Sequence, residues 1–250
     1  MEYASTILYA KRHKRSFVAL DQRQDGESLA SRIHACIKCE ALTGVKRVRT
    51  DEKKIPLDYG EPYHNVQILF VAESPPSTSG KYFYRNTSVT NPSTLRAVLF
   101  RQLVASGLMS KPTFDDFRLA FYLADVVKCP FVNVRSGRNS APSQEAIKNC
   151  NAFLIEEIKL MQPQIVCALG KSALRGFVSE NRFKLKECLG QVPRERLERW
   201  YDELQIPLYA CYFPTAMVPW AEKINALREL TSHTEADASS SSSGVTPASQ

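Results

Sequence analysis

Four uninterrupted apolar stretches of strand length set the frame of this 250-residue chain. They are VQILFVA (66–72), LAFYLADVVK (119–128), QIVCALG (164–170) and PLYACYF (207–213). A run that stays apolar from residue to residue, without polar alternation, belongs to a strand covered on both faces. Between these runs the period changes. STLRAVLFRQLVASGL (93–108) repeats at helical spacing, with Ser93 placed to cap its start. SQEAIKNCNAFLIEEIKLM (143–161) is amphipathic and opens on Pro142 and Ser143. Shorter helices are expected over 27–37, around KSALRGFV and over 219–231. Strands alternating with helices predict an α/β fold. It should be a single three-layer domain with a central, mainly parallel, four-stranded sheet flanked by helices.

Ligands of such sheets bind beyond the carboxyl ends of the strands. The segments leaving those ends are ESPPSTSGKYFY, the stretch after Cys129, GKSALRG and FPTAMVPW, and they are expected to line one cleft. The margins of the chain read differently. Residues 1–24 form a basic arm containing Lys11, Arg12, Lys14 and Arg15, and the folded domain is expected over 25–231. From Ser232 the sequence is serine-rich without apolar period, which predicts a disordered tail over 232–250.

Composition narrows the class. Hydrophobic residues make up 44% and charged residues 24%, the balance of a soluble globular protein. No apolar run approaches a membrane span, and the N-terminus lacks the apolar core and cleavage site of a signal peptide. The expectation is an intracellular, cytoplasmic monomer with no membrane partner, nucleoid-associated if the source is prokaryotic. A net charge of +7 favours an anionic partner, and Lys128, Arg135 and Arg138, clustered beside or between two cysteines, direct that reading towards nucleic acid.

In a reducing compartment seven cysteines do not form a disulfide framework. Cys36 and Cys39 are a C-x2-C pair in CIKCEAL, while Cys129 and Cys150 bracket CPFVNVRSGRNSAPSQEAIKNC. A tight pair joined in space to two distant thiols has metal-ligand spacing, for zinc in an all-thiolate site or for an iron–sulfur cluster. Cys167, Cys188 and Cys211 lie in apolar or helical contexts and read as small buried hydrophobes.

Several words in this order resemble the uracil-DNA glycosylase superfamily, especially its iron–sulfur branch, family 4. CIKCEAL is similar to the branch's opening C-x2-C-x-L, and FVAESPP to a strand running into a G-E-[AG]-P-G turn. SGKYFYRNTS resembles the segment with a base-stacking phenylalanine, and ADVVKC the T-N-V-V-K-C word. APSQEAIKNCNAFLIEEIKLMQPQIVCALGKSAL follows P-x-P-E-E-I-x-x-C-x-P-F-L and P-x-V-I-V-x-L-G-x-x-A. The likeness covers roughly residues 33–220.

The resemblance implies the fold of that superfamily and a monofunctional DNA glycosylase of base excision repair. Such an enzyme hydrolyses the N-glycosidic bond of uracil, or of another deaminated or modified base, in single-stranded or mismatched DNA. It places a 4Fe–4S cluster on Cys36, Cys39, Cys129 and Cys150, with zinc the less favoured occupant. It makes Glu73 the catalytic carboxylate, with Ala72 and Ser74 beside it at the base and Phe83 stacked on the base. Asp125 and Phe213 complete the base pocket. Arg135, Arg138 and Lys171 would meet phosphates, Lys128 would meet a phosphate or tune the charge of the cluster, and the loop of Pro214, Thr215 and Met217 would supply a wedge, with Met217 or Val218 entering the gap.

Two positions depart from the family pattern. Asp125 stands where the family has the asparagine that reads the uracil edge; an ionised carboxylate only accepts hydrogen bonds, whereas a protonated one restores the donor. Phe213 stands in place of the histidine of H-P-x-x-x-L and cannot donate to a departing base. These departures motivate a reading of another class: a catalytically degenerate member that binds nucleic acid without base release.

Overall fold

The computed structural model describes residues 29–42, 45–47, 66–77, 82–85, 91–133, 135–136, 139–178, 183–197 and 204–240. In chain order these contain helix α1 (29–35), strands β1 (Val45–Arg47) and β2 (Ile68–Ala72), and helices α2 (Leu95–Ser106) and α3 (Phe114–Phe117). Next come β3 (Phe121–Asp125), β4 (Phe131–Asn133), α4 (Gln144–Met161), β5 (Ile165–Leu169) and α5 (Gly170–Leu174). The chain closes with β6 (Gly190–Gln191), α6 (Arg194–Leu197), β7 (Leu208–Cys211) and α7 (Trp220–Ser240).

The main sheet has the order β3-β2-β5-β7-β6. Its first four strands are parallel and correspond to the four apolar runs, and every residue in them is buried. The two-residue β6 pairs antiparallel with β7 as a fifth strand, too short to carry a period in sequence. Alternate side chains of the strands feed two cores. Leu69, Val71, Val166 and Ala168 face α4 and the thiols of Cys39, Cys129 and Cys150. Ile68, Phe70, Cys167 and Leu169 face α2, α3 and α7. Cys167, Cys188 and Cys211 are buried as expected.

Helix ends follow local chemistry. Ser143 caps α4 by accepting from the Ala146 N–H at 3.1 Å. At α2 the cap is Thr94, not Ser93: Thr94 Oγ1 accepts from the Ala97 N–H at 3.3 Å, while the Ser93 hydroxyl is turned back to Asn91 at 2.7 Å. Gly107, at φ +88°, ends α2 in the left-handed conformation. The last helix overruns the expected boundary, continuing past Ser232 to Ser240. The basic arm, Arg138 and residues 241–250 lie outside the described residues.

The chain leaves β2 towards β3 on one side, and leaves β5 towards β7 on the other. The reversal places a crevice at the carboxyl ends of β2 and β5, where open parallel sheets hold their ligands.

Candidate active site at the carboxyl edge of the sheet

Two acidic residues stand side by side at this edge. Glu73 is the first residue beyond β2 and is half-buried. Asp125 is the last residue of β3, in register with Ala72. The strands stay zipped beyond them: Val126 N–H donates to the Ala72 carbonyl at 2.8 Å, and Val127 N–H to that of Glu73 at 3.2 Å. Asp125 is only 6% exposed. Burial pushes its carboxyl up to about 7; Lys128 pulls it down, and the charges of Glu157 and Glu73 push it further up. Near neutral pH it therefore exists in comparable neutral and ionised amounts.

Lys128 corrects one expectation. At 5% exposure it lies too deep to meet a phosphate. Its Nζ donates to the Asp125 backbone carbonyl and forms an ion pair with Glu157 of α4, both side chains being sealed from solvent. Glu157 is raised by burial and lowered by Lys128, and its Oε1 has no hydrogen-bond partner among the described residues. Glu157 was not anticipated from FLIEEIKLM. The signal was available in the helical phase, since it falls on the buried stripe of Ala146, Cys150, Phe153, Leu154 and Met161.

Phe83 lies in the core at 5% exposure. Its ring meets Phe100 edge-on at 5.9 Å and Phe117 at 5.2 Å. It is one wall of an aromatic cluster, not an isolated platform. Arg96 of α2 holds its turn by donating to the Phe83 carbonyl at 2.7 Å. Ala72 is buried and Ser74 half-buried beside Glu73.

On the β5 side, Gly170 has φ +86°, and a Cβ there would lie 3.1 Å from the Cβ of Phe213. Glycine is required twice over, for the backbone turn and for the close approach. Phe213 thus packs, half-buried, at the crevice two residues beyond β7. Pro214 is buried, Thr215 exposed, and Met217 fully exposed at 100%. The first two exit segments are tied as well, because Asn139 Oδ1 accepts from the Ser77 N–H at 3.2 Å and hydroxyl at 2.7 Å.

Three of the four expected ligand thiols lie in one buried core against the sheet. Cys39, Cys129 and Cys150 are buried. The Cys150 thiol is pushed far up, chiefly by its hydrogen bond with Cys39, then by burial and by Cys129, against a donation from the Lys128 backbone N–H. Cys36 is half-buried against the small cluster of Leu29, Ile33 and Phe153. Among the described residues no group of three His, Cys, Asp or Glu is gathered closely enough to hold a metal ion. The donor type suits a thiolate-ligated centre, while Cys36 packs in a cluster separate from the core that holds the other three thiols.

With this geometry in hand, comparison with known proteins is decisive at the level of family. The family model of the uracil DNA glycosylase superfamily matches residues 57–231. The chain belongs to the uracil DNA glycosylase superfamily. It is 24% identical over 193 residues to the type-4 uracil-DNA glycosylase of Sulfurisphaera tokodaii, covering 76% of this chain and 74% of that protein. It is 28% identical over 133 residues to the type-4 uracil-DNA glycosylase of Thermotoga maritima, covering 52% of this chain and 59% of that protein.

Membership gives the α/β sheet its expected parentage, and the superfamily domain is matched through α7 as far as residue 231. Two of the remaining basic candidates, Arg135 and Lys171, lie at the surface. Arg135 is exposed on a turn closed by Asn133, whose Oδ1 accepts from its N–H at 2.9 Å. Lys171 is exposed at the start of α5, with Nζ 5.4 Å from the Phe183 ring centroid. Among the described residues no helix is long and apolar enough to cross a membrane.

Proposed function

We propose that this superfamily member is a monofunctional DNA glycosylase that hydrolyses the N-glycosidic bond of uracil, or of another deaminated or modified base, in DNA. The observation that carries the reading is the buried carboxyl of Asp125 beside Glu73 at the carboxyl edge of the sheet. In its neutral form Asp125 donates from one oxygen to a base carbonyl and accepts a ring N–H on the other. That is the hydrogen-bond pattern of an amide. The base must leave the stack to reach it.

Glu73 faces the sugar as positive charge builds on it and orients the attacking water. The C1′–N bond breaks with its electron pair going to the base. Water oxygen bonds to C1′, and its proton ends on the base. Phe213 supplies no proton donor, so charge on the departing base is stabilised through the Asp125 hydrogen bond. Arg135, Lys171 and Thr215, all exposed, would meet the DNA backbone.

The same reading assigns Cys36, Cys39, Cys129 and Cys150 to a 4Fe–4S cluster, with zinc less favoured. When bound, the cluster pins the turn after α1 to α4 and to the loop after β3. The buried thiols of Cys39 and Cys129, each of which acts on that of Cys150, support the assignment. Purified protein is expected to be brown and to contain iron and acid-labile sulfide, both lost in Cys150→Ser. Zinc without sulfide would replace the cluster by a zinc site.

The test of the activity is base release from oligonucleotides carrying uracil, hypoxanthine, xanthine or mismatched thymine. Abasic product is expected from at least one. Glu73→Gln should reduce it about a hundredfold or more, the scale of a lost transition-state charge partner. Salt-sensitive DNA binding, with no release from any substrate and unchanged affinity in Glu73→Gln, would establish the degenerate reading instead.

A further inference from the structure

Met217 is the most exposed large apolar side chain among the described residues, yet the turn beneath it is anchored from inside the protein. Lys223, in the first turns of α7, is 8% exposed and sends its Nζ back to the carbonyls of Pro214, at 3.0 Å, and Ala216. Gln102 of α2 is buried and donates to the same Pro214 carbonyl at 3.0 Å. Within the turn, Ala216 N–H reaches the Phe213 carbonyl and Val218 N–H the Ala216 carbonyl, each at 2.9 Å.

This arrangement is costly. An ammonium is taken out of water with carbonyl oxygens as its described partners, and it stands at a helix N-terminus, where the helix dipole opposes a cation. An aliphatic residue at 223 would avoid the cost of burying an ammonium but would take this donor away from the Pro214 and Ala216 carbonyls. What the lysine adds is a fixed shape for the turn, with one carbonyl held by donors from two different helices.

We propose that Lys223 and Gln102 are positioning residues that preset the Phe213–Val218 turn as a rigid wedge, and that the favoured substrate is duplex DNA. The inference rests on the glycosylase reading above. In a duplex, eversion of a base leaves a gap in the stack, and a preset apolar side chain fills it without being ordered at that moment. In a single strand there is no paired stack to hold open, so the preset shape contributes little.

The test compares uracil release from one oligonucleotide sequence, single-stranded and annealed, for the wild type, Lys223→Met, Lys223→Arg and Gln102→Leu. The wild type is expected to release base from the duplex at least as fast as from the single strand. Lys223→Met should lower the duplex-to-single-strand rate ratio by about tenfold or more, within the range of a misplaced positioning element, and Lys223→Arg should recover part of it. An unchanged ratio in Lys223→Met, or a wild type that releases base faster from the single strand, overturns the proposal. Hydrogen exchange of amides 215–218 in the free protein separates this failure from that of the glycosylase reading. If the wild type releases no base from any substrate, the glycosylase reading falls. The clamp then stands on about tenfold faster exchange in Lys223→Met and falls if exchange is unchanged. Should Lys223→Met fail to fold, Gln102→Leu is judged by the same two outcomes.

Discussion

Replacing Asp125 with asparagine is expected to flatten the pH dependence of uracil release above neutrality and to raise the melting temperature at pH 8. The wild-type carboxyl donates only when protonated, and burial sets its midpoint at about 7. Release should therefore fall about tenfold per pH unit beyond 7, while an amide keeps its donor throughout. The stability effect follows from the same shift. The folded value lies above the unfolded one, so the contribution of the neutral form is fully present below about pH 4 and is lost as pH rises through 7. A rise from 3.8 to about 7 corresponds to about 4 kcal/mol between those limits. The asparagine variant should match the wild type at pH 4 and exceed it at pH 8. Rate profiles of equal slope in both proteins, with equal melting temperatures at pH 8, would remove Asp125 from the base-reading role.

The second large effect is on folding. Lys128→Met should destabilise the protein by about 3–5 kcal/mol in urea unfolding, because it strands Glu157 without its counter-charge in a fully sealed space. The loss should grow with pH, since Glu157 is already raised by burial and, without Lys128, ionises only at further expense. Pairing the change with Glu157→Leu should return most of the stability, as replacing a buried ion pair by apolar side chains often does. A single variant as stable as the wild type would mean that the pair contributes nothing to the fold.

These two residues also show how far the sequence could be read. The parallel strands were legible because burial on both faces leaves continuous apolar runs; Glu73 stood out because it directly follows one such run, and Asp125 because it is the one acid inside another. For Lys128 only the phosphate contact was misjudged. Beside a cysteine and within a basic stretch it has the profile of a surface cation, and only its partner across α4 turns it inward. Glu157 and Gln102 could have been found from helical phase, since both fall on buried stripes. Lys223 could not: its role depends on a turn whose carbonyls point inward, which no spacing encodes. The two-residue β6 is shorter than any period. The extension of α7 through TSHTEADASS has no apolar stripe to announce it.

One small contact near the site bears on how copies of this chain treat each other. β3 is the margin of the sheet, and the backbone of its central residue points away from β2. Leu123 gives its N–H to the Tyr84 hydroxyl at 2.7 Å and receives that hydroxyl's proton on its carbonyl at 2.9 Å. At the end of the strand the Asp125 carbonyl is taken by Lys128. A phenol and an ammonium thus occupy the places where a foreign strand would dock, and the opposite margin is only two residues long. A foreign strand adding to β3 would first have to displace the Tyr84 hydroxyl, and at β6 it would find only two residues to pair with.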